Sequence, residues 1–231
     1  MAPDAAKTWD FDSYDWVERY DERMRGLRRL CYDDTLRRLP ACAAAEPQDL
    51  VVDIGTGTGN SAVPFLELGC RVVGVDPSKR MLKQAEETVP RWAGRFSIQH
   101  ADDPFLRLPF GDATFDVVVS AYTIHHLDDP AKRQAVREAR RVLRPGGRIV
   151  IADTMFRDAA HKARALSEDP DLEDEHQPLL TTFPAMFEAE GLDVAWHQVG
   201  ELIWILAARE GAPQTGRRGA RTTGGTTCQW R

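Results

Sequence analysis

The stretch VVDIGTGTGN, residues 51–60, constrains the fold more than any other part of the chain. A β-branched apolar run leads through Asp53 into three glycines spaced two apart, Gly55, Gly57 and Gly59. Glycine accepts positive φ angles and lets the backbone approach a ligand closely. A strand, a glycine turn and a helix in this order are typical of an open α/β sheet that binds a ligand beyond the carboxyl ends of its strands.

Apolar runs alternate with longer segments of helical periodicity, which predicts a mostly parallel sheet covered by helices on both faces. The predicted strands are residues 50–54, 71–75, 96–99, 115–120, 148–152, 192–198 and 202–208. The predicted helices are residues 62–68, 78–88, 130–143 and 183–190. Only three residues join the last two strands, and so short a connection makes an antiparallel hairpin. We therefore predict a doubly wound α/β fold, with a seven-stranded Rossmann-like sheet closed by an antiparallel C-terminal hairpin.

The two ends of the chain differ from the middle. Aromatic residues and two amphipathic stretches between about residues 8 and 45 predict a helical cap over the first strand or its ligand. Residues 211–231 are rich in Gly, Thr and Arg, with little to bury, and are predicted to form a disordered tail. The 231 residues suffice for one α/β core, so we predict a single domain over residues 1–210.

Charge and cysteine usage narrow the classes of partner. The formal net charge of -6 provides no positive field that would attract nucleic acid. The four cysteines are scattered and resemble neither a disulfide framework nor a zinc site. No apolar stretch suits a signal peptide or a membrane span. We expect a cytoplasmic monomer or homodimer that acts on a small molecule and binds neither nucleic acid nor membrane.

An acid after the second strand, Asp76, favours a nucleoside-bearing cofactor. It follows Gly55 at the spacing, about 20 residues, at which an acid accepts hydrogen bonds from ribose hydroxyls. In the alternative interpretation the glycines only form a tight turn and Asp76 only caps the next helix. Position 60 is Asn where the dinucleotide fingerprint needs a small residue. Asp53 would repel a pyrophosphate but suits an ammonium and a sulfonium, both of which S-adenosylmethionine carries.

Four motifs resemble those of the class I S-adenosylmethionine-dependent methyltransferases of the type 11 group, across residues 10–208. They are VVDIGTGTGN, VVGVDPSKRML, HADDPFLRLPFGDATFDVVVS and RVLRPGGRIVIAD. More narrowly, FDSYDWVERYDE, AYTIHHLDD, DLEDEHQPLL and ELIWIL resemble the bacterial YrrT-type methyltransferases. The resemblance implies a transferase with S-adenosylmethionine as its cofactor.

The resemblance also implies where the cofactor lies. The backbone at Gly55 and Gly57 approaches the methionyl part, Asp76 holds the ribose, and Asp102 or Asp103 bounds the adenine. The stretch 102–109 is longer than the family pattern, so the choice between these two acids stays open. The full predicted set is Asp53, Gly55, Gly57, Gly59, Asp76, Asp102, Asp103 and Ser120.

Two adjacent histidines follow the fourth strand, at the edge where the methyl group should lie. A histidine with a pKa near neutrality can remove a proton from a hydroxyl or amine acceptor. We predict His126 as this base and Tyr122 as a residue that orients the acceptor. At least one of His125 and His126 is expected instead to pack under the following helix and hydrogen-bond a backbone carbonyl.

Methyl transfer from a sulfonium requires no metal, and we predict none. The acidic segment 167–178 is predicted to be a solvated loop between the fifth and sixth strands. Its alternative role is to bind a divalent metal or a cationic acceptor through Glu173, Glu175 and His176. Two other functions also fit the cofactor residues: a non-catalytic protein that binds S-adenosylmethionine or S-adenosylhomocysteine, and a Rossmann oxidoreductase, which Asn60 disfavours.

Overall fold

The computed structural model describes residues 17–92, 94–169, 172, 175–211 and 221–222. Within these ranges one sheet has the strand order β3-β2-β1-β4-β5-β7-β6-β8, in which β8 is the two-residue strand Arg221–Thr222. The other strands are β1 Leu50–Ile54, β2 Arg71–Asp76, β3 Phe96–His100, β4 Phe115–Ala121, β5 Leu143–Thr154, β6 Leu192–Gln198 and β7 Ile203–Glu210. The first five are parallel, and β7 pairs antiparallel with both β5 and β6. The predicted fold class is confirmed.

Helices cover both faces of the sheet. They are α1 Tyr20–Gly26, α2 Tyr32–Cys42, α3 Val63–Leu68, α4 Lys79–Thr88, α5 Asp129–Val142, α6 Ala159–Glu168 and α7 Phe183–Glu188. Val52 and Ile54 of β1 pack into one hydrophobic cluster with α5 and α7, and Val51 packs into a second cluster with α2 and α3. Because both faces are buried, every residue of β1 except Asp53 is apolar.

Two elements differ from the sequence prediction. Strand β5 begins at Leu143, which pairs with Phe115, and the register shifts before Arg148 pairs with Val117. Residues 145–147, Pro-Gly-Gly, which separate the predicted helix 130–143 from the predicted strand 148–152, therefore form a bulge within an extended strand. Helix α6 was not predicted, because none of its residues is buried and its apolar pattern is weak.

Parts of the terminal predictions lie outside the described residues. Residues 8–16 of the predicted cap lie outside them. The predicted tail also lies outside them, except for Gly211 and the two-residue strand β8, Arg221–Thr222. The backbone of β8 pairs parallel with β6. The domain boundaries and the disordered tail stay predictions. None of the helices within the described ranges is long and apolar enough to cross a membrane.

Candidate cofactor and acceptor site

The glycine turn after β1 has one position that borders open space. A Cβ built on Gly57, whose φ is +52°, would meet no heavy atom of the protein within 4 Å. A Cβ on Gly55 would lie 2.5 Å from Cγ2 of Thr123, and one on Gly59 would lie 3.2 Å from Cβ of Ala85. Packing within the protein therefore explains Gly55 and Gly59, whereas Gly57 is where a ligand can reach the backbone.

The carboxylate of Asp76 holds this turn against the end of β2. Its Oδ2 accepts a hydrogen bond from the backbone N–H of Gly57 at 2.9 Å, and its Oδ1 accepts one from Ser78 at 2.8 Å. Ser78 in turn caps α4 through the N–H of Met81. Each carboxylate oxygen has a further lone pair. Asp76 therefore organises the glycine turn and the start of α4, as the alternative interpretation predicted. A carboxylate in this position can also accept hydrogen bonds from a ligand.

Asp53 is fully buried beside the turn. Its Oδ2 accepts from the hydroxyls of Ser61 at 2.6 Å and Thr56 at 2.7 Å. Its Oδ1 is buried and has no hydrogen-bond partner among the described residues. Burial raises the pKa of Asp53 to about 6; the two hydroxyls oppose this shift and Asp76 reinforces it. A buried carboxylate oxygen with no donor is suited to a cationic ligand group.

The two acids after β3 are distinguished by their surroundings. Asp103 Oδ1 accepts from the N–H of Leu106 at 3.3 Å and so caps a local turn. The side chain of Asp102 is fully exposed, and its Oδ1 lies 3.9 Å from Nε2 of His100. Asp102 is therefore the acid that can turn toward a ligand at the edge of the sheet.

Two further predicted site residues, Ser120 and Tyr122, lie on β4 and directly after it. Asp53 pairs in register with Val119, so the next residue of β4, Ser120, faces the opposite side of the sheet. There Ser120 lines a small apolar cavity beneath α5. Tyr122 is buried and donates its hydroxyl hydrogen to the carbonyl oxygen of Leu30 at 2.5 Å. This contact fastens the amino-terminal segment to the sheet.

The histidine pair forms a short 3-10 turn, Ile124–His126, beyond the end of β4. Asp153, fully buried in β5, accepts from the backbone N–H of His125 at 3.1 Å and contacts its Nδ1 at 2.7 Å. Because a carboxylate only accepts hydrogen bonds, Nδ1 carries the proton. Nε2 of His125 therefore faces away from Asp153 and toward Glu175, whose Oε2 lies 3.5 Å from it.

Glu175 also approaches the second histidine, with 3.4 Å between its Oε1 and Nδ1 of His126. Burial opposes the charged form of His125, but the carboxylates of Asp153 and Glu175 outweigh it and raise the pKa of His125. Burial lowers the pKa of His126, and its neighbour His125 acts in the same direction. Burial alone would raise the pKa of Glu175, but the two histidines lower it.

The described part of the predicted helical cap lies over the glycine turn. Asp21 of α1 accepts a hydrogen bond from the hydroxyl of Thr58 at 2.6 Å. Arg80 of α4 donates to Glu18 at 2.6 Å. The cap thus covers the glycine turn from one side, and the segment carrying Glu175 covers the histidine pair.

Sequence reasoning missed Asp153 and only partly found Glu175. Asp153 was predictable from the rule that located Asp76, because each is the acid at the end of a parallel strand. Of the three acidic-segment residues proposed as ligands, Glu175 reaches the histidine pair and His176 is exposed outside the cluster. Glu173 lies outside the described residues.

Comparison with known proteins identifies the family of the chain. The sequence profile of the family described as "Methyltransferase domain" matches residues 52–151. An uncharacterized methyltransferase of Oceanobacillus iheyensis is 32% identical over 213 residues, 85% of this chain and 94% of that protein. The uncharacterized methyltransferase YrrT of Bacillus subtilis is 32% identical over 206 residues, 84% and 94% of the two chains. These relatives confirm the YrrT-type resemblance.

A solved structure shows the same fold. It is a chain of the complex between the Haloferax volcanii Trm112 methyltransferase activator and a methyltransferase. The TM-score is 0.65 at 22% identity, and the match covers 85% of this chain and 96% of that one. At this identity the likeness extends to the fold alone.

Proposed function

We propose that this chain, which belongs to the S-adenosylmethionine-dependent methyltransferases, transfers a methyl group to a small-molecule acceptor. One observation carries the proposal: open space at Gly57 adjoins the acids Asp53 and Asp76, with a histidine pair at the next strand end. The residues proposed to bind the cofactor and those proposed to remove a proton thus lie at the same edge of the sheet. Family membership favours a transferase over the Rossmann oxidoreductase that the sequence left as an alternative.

The proposed cofactor position follows from the donors and acceptors at this edge. The methionyl part lies against the backbone at Gly57, and its ammonium donates to Oδ1 of Asp53. Asp76 accepts from the ribose hydroxyls, and Asp102 faces the adenine. Gly55, Gly59 and Asp103 support the turns through packing and capping.

The proposed acceptor approaches from the histidine side. Methyl transfer is an in-line displacement, so holding the acceptor beside the sulfonium supplies much of the rate, up to roughly 7–11 kcal/mol of barrier. A hydroxyl or protonated amine must also lose a proton, and His126 is the proposed base. The cap contacts the glycine turn and Glu175 contacts the histidine pair, and this partial cover of the edge favours a small acceptor over a macromolecule.

A methyl-transfer screen tests this function. The protein is incubated with S-adenosylmethionine labelled in its methyl group and with pools of small hydroxyl, amine and thiol metabolites. Label should appear in a low-molecular-weight product and depend on the protein. Label recovered only in protein or nucleic acid would contradict the small-molecule acceptor, and saturable cofactor binding without transfer to any pool would favour a binding protein.

Asp76→Ala should weaken S-adenosylmethionine binding by about 1.5–3 kcal/mol, the range for hydrogen bonds to a charged group. Asp76→Asn should weaken it too, because an amide group would place a donor against the N–H of Gly57 or Ser78. Calorimetric titration measures both affinities. Wild-type affinity in both variants would show that Asp76 only organises the turn.

The affinity for S-adenosylmethionine should fall about tenfold between pH 7 and pH 5, because Asp53 protonates through a pKa of about 6 and a neutral carboxyl attracts an ammonium less. The sign follows from the raised pKa: the ionised, binding-competent form is lost as the pH decreases. Asp76 is the charged neighbour that faces Asp53. Asp53→Asn should bind weakly at both pH values and show no such slope; an equal slope in that variant would assign the titration elsewhere.

A further inference from the structure

The histidine pair and Glu175 place three ligand atoms around one point. His125, His126 and Glu175 each offer one ligand atom, and these three atoms all lie within 4.8 Å of one another. All three side chains are 16% exposed, so the cluster is largely shielded from water yet reachable. The three residues come from two separate segments, the turn after β4 and the segment after α6.

The distances within the cluster are too long for ordinary charge-assisted hydrogen bonds. Such bonds between a protonated nitrogen and a carboxylate are about 2.7–2.9 Å long. The two histidine–Glu175 distances are 3.5 and 3.4 Å. Two ligands on a tetrahedral ion with bonds of about 2.1 Å are about 3.4 Å apart. Each histidine–carboxylate distance, one to each oxygen of Glu175, is therefore of the size expected for two ligands of one cation.

The tautomer of His125 points to the same conclusion. Its Nδ1–H is directed at the fully buried Asp153, which leaves the lone pair of Nε2 facing the carboxylate of Glu175. When this imidazole is neutral the two lone pairs face each other, and a cation between them removes the repulsion. A carboxylate behind a histidine is also the usual outer partner of a metal-binding imidazole, because it fixes the ring and its tautomer.

We propose that His125, His126 and Glu175 bind a divalent metal ion of the zinc class, with Asp153 as the outer partner that orients His125. Two imidazoles and one carboxylate suit Zn²⁺, Co²⁺ or Fe²⁺ better than Mg²⁺ or Ca²⁺, which prefer oxygen ligands. The charge of a divalent ion also balances the two negative charges of Glu175 and Asp153. The expectation from sequence that the protein uses no metal is revised by this proposal.

Three protein ligands leave at least one coordination position for another molecule. This step rests on the proposed function: the acceptor is a hydroxyl or thiol that coordinates as an anion. Coordination lowers its pKa and its proton goes to solvent, which would replace the role of His126 as base. The acceptor oxygen or sulfur then forms the bond to the methyl carbon, the carbon–sulfonium bond breaks, and its electron pair stays on the sulfur of S-adenosylhomocysteine.

Titration of metal-stripped, untagged protein with Co²⁺ tests the site by visible absorption and calorimetry. We expect saturable binding of one ion per chain with a low-symmetry, tetrahedral-type spectrum. Glu175→Gln and His126→Ala should lose at least about 100-fold in affinity, and Asp153→Asn should lose about 10–100-fold. His176→Ala is the matched control, because His176 is adjacent to Glu175 but exposed, and it should bind Co²⁺ as the wild type does.

The affinity for S-adenosylmethionine, measured on the same samples, separates this proposal from the proposed function. Wild-type cofactor affinity in Glu175→Gln shows that the fold and the residues proposed to bind the cofactor are intact. No saturable Co²⁺ binding to the wild type, or equal Co²⁺ affinity in Glu175→Gln and the wild type, would overturn the metal site while leaving the methyltransferase assignment in place. Co²⁺ binding without any S-adenosylmethionine binding would support the metal site and contradict the proposed function.

Discussion

Gly57→Val should abolish measurable S-adenosylmethionine binding, a loss of at least about 100-fold, and leave the fold largely intact. The Cβ position of Gly57 meets no protein atom within 4 Å, so the branched side chain enters the space in which the ligand reaches the backbone. A β-branched residue at a φ of +52° also costs about 1–3 kcal/mol of stability, which a domain of this size can tolerate. Calorimetry measures the binding and circular dichroism the fold.

The neighbouring glycine provides the matched control. In Gly55→Ala the new methyl group would lie 2.5 Å from the side chain of Thr123, inside the protein. The main loss should therefore be in thermal stability. Wild-type cofactor affinity in Gly57→Val would contradict the placement of the ligand, and a globally unfolded Gly57→Val protein would show that the turn, not the ligand, requires glycine.

His126→Ala should lower methyl transfer by about 10² or more while the dissociation constant for S-adenosylmethionine hardly changes. The reason is that His126 lies on the acceptor side of the edge, next to Glu175, whereas the cofactor contacts lie at Gly57, Asp53 and Asp76. The loss is expected whether His126 removes the proton itself or holds the metal ion. The measurement is turnover on the acceptor found in the screen, together with calorimetry.

Two further variants give this prediction its controls. His176→Ala should keep wild-type turnover, because that side chain is exposed and outside the cluster. His125→Ala should cost about 1–3 kcal/mol of stability, since the buried Asp153 loses the donor at 2.7 Å. Wild-type turnover in His126→Ala would show that the histidine pair is structural and that chemistry depends on positioning alone.

The strands, the antiparallel hairpin and the glycine turn were predictable because their signals are local. A Val/Ile run before Gly55 specifies a buried strand, and the short link between β6 and β7 specifies a hairpin. The bulge in β5 was not predictable, because it depends on how Leu143 and Arg148 pair with β4. The same limit applies to Glu175, since no local pattern shows that it folds back onto the histidine pair.

The roles of the side chains, too, could be predicted from the sequence only in part. The sequence grouped Gly55, Gly57 and Gly59 as one ligand-binding turn, but only three-dimensional packing distinguishes the glycine that borders open space from the two that contact Thr123 and Ala85. Ser120 and Asp53 both looked suited to the cofactor. They face opposite sides of the sheet because register fixes the direction of each side chain.

The position of the cofactor is the central claim, and backbone amide NMR shifts during titration with S-adenosylmethionine test it most directly. We predict saturable changes at the N–H groups of Gly57 and Ser78, which donate to Asp76, and smaller changes at His125 and His126. The open groove between residues 106–110 and α5, lined by Glu138 and Arg141, should not respond. Shifts confined to that groove, with Gly57 and Ser78 unchanged, would contradict the site.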